Sequence, residues 1–158
     1  MNEQAIQSIV ETVVSKISPK DITLDLAQSV ARKVREKAKK MGVKAVVAIS
    51  NRAACPVLVE SMDDAYIASY DIAVQKAFTV VSLKMSTATL KPLAQPGGSL
   101  YGIQFTNGGK IVIFGGGEPL KNREGQIVGG IGVSGGTEAQ DTALATYGKE
   151  IFEKGQYL

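Results

Sequence analysis

The chain has no histidine among its 158 residues. That removes Ser-His-Asp and Cys-His nucleophilic catalysis, histidine-ligated zinc and a proximal-histidine haem. Acid–base work falls to Asp, Glu, Lys or Tyr. Carboxylates come from Asp63, Asp64, Asp71, Glu118, Glu138 and Asp141. Asp64 and Asp71 are spaced to face similarly on one helix, and Glu138 and Asp141 are neighbours on another. Such a set can ligate a hard cation, but no EF-hand spacing is present. Asp71 and Lys76 have poor spacing for an intrahelical pair, so each is expected to face a different element. The single cysteine, Cys55, forms no intrachain disulfide and reads as a small turn residue without a histidine to activate it. Met62, Met85, Tyr66, Tyr70 and Tyr101 are candidates to line an apolar pocket.

Glycine is the other chemical signal. Eleven of the 17 glycines fall between Gly108 and Asp141. Gly115-Gly116-Gly117 could bring backbone amides against a phosphate, carboxylate or flat ligand, but the Gly-Lys-Ser/Thr ending of a Walker loop is missing. Gly130, Gly132 and Gly135 meet the spacing of a dinucleotide fingerprint. Their strand belongs to a hairpin and no βαβ crossover follows, so the match is weak. Ser134-Gly135-Gly136-Thr137 opens a helix, where free N–H groups and the dipole suit an anion. Glu138 would compete with that anion, and a capped, tightly packed helix start is the alternative.

These residues need elements to hold them. Ile6, Ile9, Val10, Val13, Val14 and Ile17 recur at helical spacing over residues 3–17, and Ser18-Pro19 stops that helix. The stripe suits docking on a neighbour or on the chain's own domain. A second helix is expected from Thr23 to Met41, with Gly42 beyond its end. Residues 44–50 and 56–60 read as a β-hairpin with Pro56 at a first-strand position. Asp63 is the expected N-cap of a helix reaching Leu83, with an alanine-rich face for a sheet or second subunit. One short helical turn is expected near 90–94, and residues 99–107 read as either a helical turn or an edge strand. Residues 110–114 read as a strand, residues 115–120 as a glycine-rich connection, Asn122 to Gly125 as a turn, and 126–133 as a strand. Three glycines inside that last strand require a bulge, or the close approach of another backbone or a ligand. Thr137 to Gln140 form a capping box for a helix to about Lys154. Two hairpins with packed helices make an α+β pattern.

Composition agrees. Hydrophobic residues make up 44% and charged residues 21%, as in a globular domain with a core. Apolar runs are too short for a membrane span, and Met1 to Ser18 carries acids with no basic start, so it does not read as a secretory signal. The expected location is cytoplasmic. The net charge is +3, with cations concentrated between Arg32 and Lys44. Without aromatic or base-reading residues beside it, this run reads as a solvated helix face, not a nucleic-acid surface.

Taken together, these motifs resemble the GlcG/HbpS family, which also forms the carboxy-terminal domain of PduO-type proteins. The resemblance rests on Ile22-Thr23-Leu24, Met62-Asp63-Asp64-Ala65, Ser69 to Thr79 and Gln95-Pro96-Gly97-Gly98, with Phe114 to Leu120 and Gly129 to Glu138 plus Asp141. It covers about residues 21–150. It divides the chain into a helical extension, 1–20, and one domain, 21–158. It implies a profilin-like α+β domain with an antiparallel sheet of about five strands flanked by helices, and homo-oligomers from dimers to octamers. It places members beside glycolate, glycerol and diol pathways, some with bacterial microcompartments, and some bind haem. This chain departs from the pattern at Asn51 to Cys55, at Ser61, and in having no histidine for haem iron. The cofactor is therefore unknown, and haem is disfavoured though open through another ligand. The cobalamin adenosyltransferase activity of PduO proteins is not expected to carry over, since the resemblance is to their carboxy-terminal domain.

The resulting expectation is a non-catalytic, oligomeric small-ligand-binding or accessory protein of a catabolic pathway. The expected ligand-binding residues are Met62, Asp63, Asp71, Lys76, Gly115, Gly116, Gly117, Ser134, Gly135, Gly136 and Thr137. No membrane and no nucleic-acid partner is expected. The alternatives are a haem carrier without histidine ligation, and an enzyme on a small carbonyl or hydroxy-acid metabolite using Lys76, Asp71 or Asp141.

Overall fold

The two central strands of this chain are buried on both faces, and the structure shows why. The computed structural model describes residues 2–156. Among them one antiparallel sheet has four strands: β1 (Val46–Asn51), β2 (Pro56–Ser61), β3 (Gly117–Lys121) and β4 (Ile127–Ser134). Their order is β2-β1-β4-β3. The two prolines that lie in strands are both on edge strands, Pro56 on β2 and Pro119 on β3, where a missing ladder donor is tolerated.

Helices cover both faces. Helices α2 (Leu24–Lys40) and α5 (Glu138–Glu153) pack on one side. There Val30 and Val34 join Val47, Ile49, Ile131, Val133 and Leu144 in the main core. Helix α3 (Ile67–Ser82) covers the other side, where Ala73 and Ala77 meet Val46 and Ala48. The period of two along β1 and β4 decides which side chain goes where. On β4 the positions facing α3 are Gly130 and Gly132. A Cβ on Gly132 would lie 2.1 Å from the Ala73 carbonyl oxygen, and one on Gly130 would lie 2.7 Å from that of Ala77. The strand glycines therefore admit the backbone of α3, one of the two causes expected for them.

Several local readings hold. Thr23 N-caps α2 through Leu26 N–H, and Gly42 takes φ 70° just past its end. Asn51 and Asn122 fasten the two hairpin turns: Asn51 Oδ1 accepts from Ala53 and Cys55, and Asn122 Oδ1 from Glu124 and Gln126. The 90–94 turn is a helix, α4 (Thr87–Leu93), and residues 103–109 form two short 3-10 turns.

Two readings are corrected. Residues 110–114 are not a strand. Their backbone is pinned to α3 instead: Val112 N–H donates to Thr79 Oγ1 at 3.0 Å, while the Thr79 proton goes back to the Gln75 carbonyl of its own helix at 2.7 Å. The edge position in the sheet goes to Gly117–Lys121, part of the expected connection, which leaves four strands against about five expected. Asp63 is not an N-cap either. Asp63-Asp64 form a turn with Asp64 at φ 61°, and α3 starts after Tyr66 with no side-chain cap.

Helix α1 (Glu3–Ile17) is capped by Asn2, and among the described residues it makes no substantial packing contact with another element. Ile6, Ile9, Val10 and Val13 are about half exposed. The side chains of Val14 and Ile17 lie outside the described residues. The junction is tied by Ser18 Oγ on Glu124 and by Asn122 Nδ2 on the Pro19 carbonyl. No helix among the described residues is long and apolar enough to cross a membrane.

Candidate functional site

The first turn of α5 organises the glycine loops. Thr137 caps it, with the reciprocal Gln140 bond of a capping box. That turn then presents two carboxylates, each holding one glycine loop and one lysine. Glu138 accepts from Gly115 N–H at 2.9 Å and from Lys91 Nζ at 2.6 Å. Asp141 accepts from Gly136 N–H at 2.8 Å and from Lys76 Nζ at 3.2 Å.

Lys76 is fully buried. Its Nζ also donates to the Val133 carbonyl at 2.7 Å and lies 5.1 Å from the centre of the Phe114 ring. Burial pushes its ammonium below the usual lysine range, against the pull of Asp141. One side chain thus cross-links α3, β4 and α5. Gly116 leaves room for it, since a Cβ there would sit 2.6 Å from Nζ. For Glu138, the Lys91 hydrogen bond and the Gly115 amide hold the carboxyl below its ordinary value.

Beside this cluster lies a cleft of about 270 Å³ between the start of α3 and the loop after β4. Tyr66, Ile72 and Phe114 form its apolar wall; Ser69 and Ser134 line it too, with Gly135, Gly136, Glu138 and Asp141. The two serine hydroxyls are hydrogen-bonded at 3.0 Å.

The expected site residues divide between places. Ser134, Gly135 and Gly136 line the cleft, Thr137 caps the helix beside it, and Lys76 lies behind it. Gly115, Gly116 and Gly117 are the opposing loop, with Gly117 N–H on Thr87 Oγ1. Met62 and Asp63 belong to a different, open groove with Arg35, Lys39, Lys44 and Glu60. The Met62 sulfur accepts from Ala45 N–H. Asp71 is exposed, accepts from Gln75 one turn on, and is not part of the cleft lining. The sequence reading missed Ser69, Ile72 and Phe114 as lining residues. A three-residue step from Tyr66 to Ser69 to Ile72 on one helix face was the available signal.

Three comparisons define the chain's relatives. The profile of the family described as "Haem degrading protein HbpS-like" matches residues 22–150. An uncharacterised 15.0 kDa protein from the dhaT-dhaS intergenic region of Citrobacter freundii is 41% identical over 133 residues, 84% of this chain and 93% of that protein. The corrinoid adenosyltransferase PduO of Salmonella typhimurium is 39% identical over 77% of this chain, but the match spans only 35% of that enzyme. Among solved structures, Klebsiella pneumoniae ORFY superposes with a TM-score of 0.80 at 43% identity, covering 83% of this chain and 90% of that one. A PduOC:heme complex superposes at 0.78 with 34% identity, covering 82% and 94%. With the fold, the glycine loops and the α5 clamp on the matched segment, the chain belongs to the HbpS-like family.

Proposed function

We infer that the protein is a non-catalytic small-ligand-binding or accessory protein of a bacterial catabolic pathway of the glycolate, diol or glycerol type. The ligand occupies the cleft between α3 and the Ser134–Gly136 loop. One observation carries this reading. The cleft has an apolar wall, while every charged group around it is already committed to a protein partner. Apolar lining with a few polar groups is the usual make-up of a ligand pocket. An enzyme using Lys76 would need its amine free, and that amine is sealed between Val133 and Asp141. The relative between dhaT and dhaS and the PduO enzymes support the pathway context. Cytoplasmic placement and microcompartment association go with that context. A homo-oligomer is part of the same reading, supported by exposed Tyr66, Ile67 and Tyr70 beside the cleft. Light scattering checks it, and a monomer at all concentrations overturns that part. Native mass spectrometry of the purified protein tests the ligand. A retained small molecule is expected, whereas turnover of pathway aldehydes or hydroxy acids by protein that retains nothing overturns the reading.

Haem binding is the second reading, favoured by the PduOC:heme relative. The residues here fit haem iron poorly. The chain has no histidine, and the Met62 sulfur and Lys76 amine are engaged elsewhere. Tyr66 is the one phenol on the cleft, with Phe114 available for stacking. Titration with micromolar haem decides: a Soret shift lost in Tyr66→Phe supports this reading, and no shift removes it.

A further inference from the structure

The Ser69–Ser134 hydroxyl pair has one more donor than the protein uses. Ser69 is 3% exposed and Ser134 5%, and both line the cleft. Two hydroxyls carry two protons, and their mutual bond consumes one. A serine within a helix commonly returns its proton to a carbonyl one turn back. Neither serine makes such a bond among the described residues, and the second proton has no protein acceptor there. Buried polar atoms are nearly always satisfied, so a spare donor on a cleft wall is available to an acceptor from outside the chain, water or the oxygen of a ligand that displaces it.

We propose that this hydroxyl pair orients the cleft's ligand and selects a neutral, flat, largely apolar molecule bearing a hydrogen-bond acceptor, such as a ketone, aldehyde or ether oxygen. The inference rests on the cleft being the ligand site. The surroundings argue for neutrality. Gly115 N–H and Gly136 N–H are bonded to Glu138 and Asp141, and the charges of those two carboxylates are balanced by Lys91 and Lys76. The same pairings leave neither carboxylate free to attract a cation. The remaining side-chain polar capacity is uncharged: the spare serine O–H and the Tyr66 phenol. Flatness follows from the walls, where the rings of Tyr66 and Phe114 and the Ile72 side chain offer faces for stacking and apolar contact.

Fluorine NMR on the full chain tests this with three probes of matched shape: para-fluoroacetophenone, para-fluoroethylbenzene and para-fluorobenzoate. The ketone is expected to bind roughly three- to tenfold more tightly than the hydrocarbon, the range of one net hydrogen bond, with benzoate weakest. In Ser69→Ala/Ser134→Ala the ketone falls to the hydrocarbon's affinity while the hydrocarbon is unchanged. Phe114→Ala weakens both neutral probes and locates them in the cleft. Equal binding of ketone and hydrocarbon by the unaltered protein overturns the proposal and leaves the cleft reading standing, without needing the double variant to fold. Tightest binding of benzoate also overturns it. Failure of all three probes to bind overturns the cleft itself as a small-molecule site.

Discussion

Replacing Lys76 by methionine isolates what the buried ion pair contributes. Methionine keeps most of the aliphatic stem and removes the amine. Asp141, 5% exposed, would then keep only the Gly136 amide as a partner for a buried negative charge. Breaking such a pair by removing one member costs about 3–5 kcal/mol. That is a large share of a typical total stability of roughly 5–15 kcal/mol. At about 2–4 °C per kcal/mol for a domain of this size, the melting temperature falls by roughly 6–20 °C. Asp141→Asn is expected to cost less, because the amide oxygen can still accept from Gly136 and a buried lysine can shed its proton. Its pH dependence has a definite sign. Burial already lowers the folded-state pKa of Lys76 below 10.5, and losing Asp141 lowers it further. The unfolded state then binds more protons in the window between that lowered value and 10.5, so stability of Asp141→Asn climbs as pH rises through it. Lys76→Met/Asp141→Leu removes both charges and should recover most of the loss. Urea melts followed by circular dichroism measure all three. A Lys76→Met cost below about 1 kcal/mol, or a double variant no more stable than Lys76→Met, refutes the assignment of Lys76 as a charged cross-link.

Three further outcomes follow from the packing. Gly132→Ala drives a Cβ into the Ala73 carbonyl and should cost at least the roughly 1–3 kcal/mol of overpacking; an unchanged urea midpoint would mean α3 is not seated on that strand. Deleting residues 1–17 should alter the domain's stability by less than about 0.5 kcal/mol, since the described residues of α1 make little contact with other elements; a melting temperature several degrees lower would show otherwise. For Glu138→Gln the difference from the unaltered protein should shrink on acidification. The folded carboxyl titrates below its ordinary 4.5, so its stabilisation is complete above 4.5 and is lost as pH falls through the folded value. Acid melts with a constant difference would contradict the Lys91 and Gly115 bonds.

What sequence revealed here was local. The capping box at Thr137, the cap at Thr23 and the turn at Asn122 to Gly125 depend on residues a few positions apart, so spacing alone identifies them. The strand reading of residues 110–114 failed for a non-local reason. β-branched residues suit a ladder, but β4 offered its free edge to Gly117–Lys121, and Thr79 of α3 took the amide of Val112. Asp63 failed similarly. Asp64 is held by Lys44 at 3.1 Å across the end of the hairpin, which turns the chain before the helix begins. Of Asp71 and Lys76 only Lys76 faces another element; Asp71 is exposed and bonds to Gln75 on its own helix, and nothing in their spacing could name Asp141, 65 positions beyond Lys76, as the lysine's partner.

The glycine-rich third of the chain illustrates how one composition serves two physical purposes. On β4, Gly130 and Gly132 are needed because a helix backbone lies where side chains would be. At Gly115 and Gly136 the glycines instead let amides reach the carboxylates of the α5 first turn. A helix N-terminus ordinarily favours an anion, since its amides and dipole converge there. In this protein that capacity is met internally by Glu138 and Asp141, and their charge is balanced in turn by Lys91 and Lys76. The loop that looks most like a phosphate cradle is therefore electrostatically closed. A ligand entering the adjacent cleft meets aromatic faces and uncharged hydroxyls. Affinity there should depend weakly on ionic strength, because no unpaired charge faces the ligand.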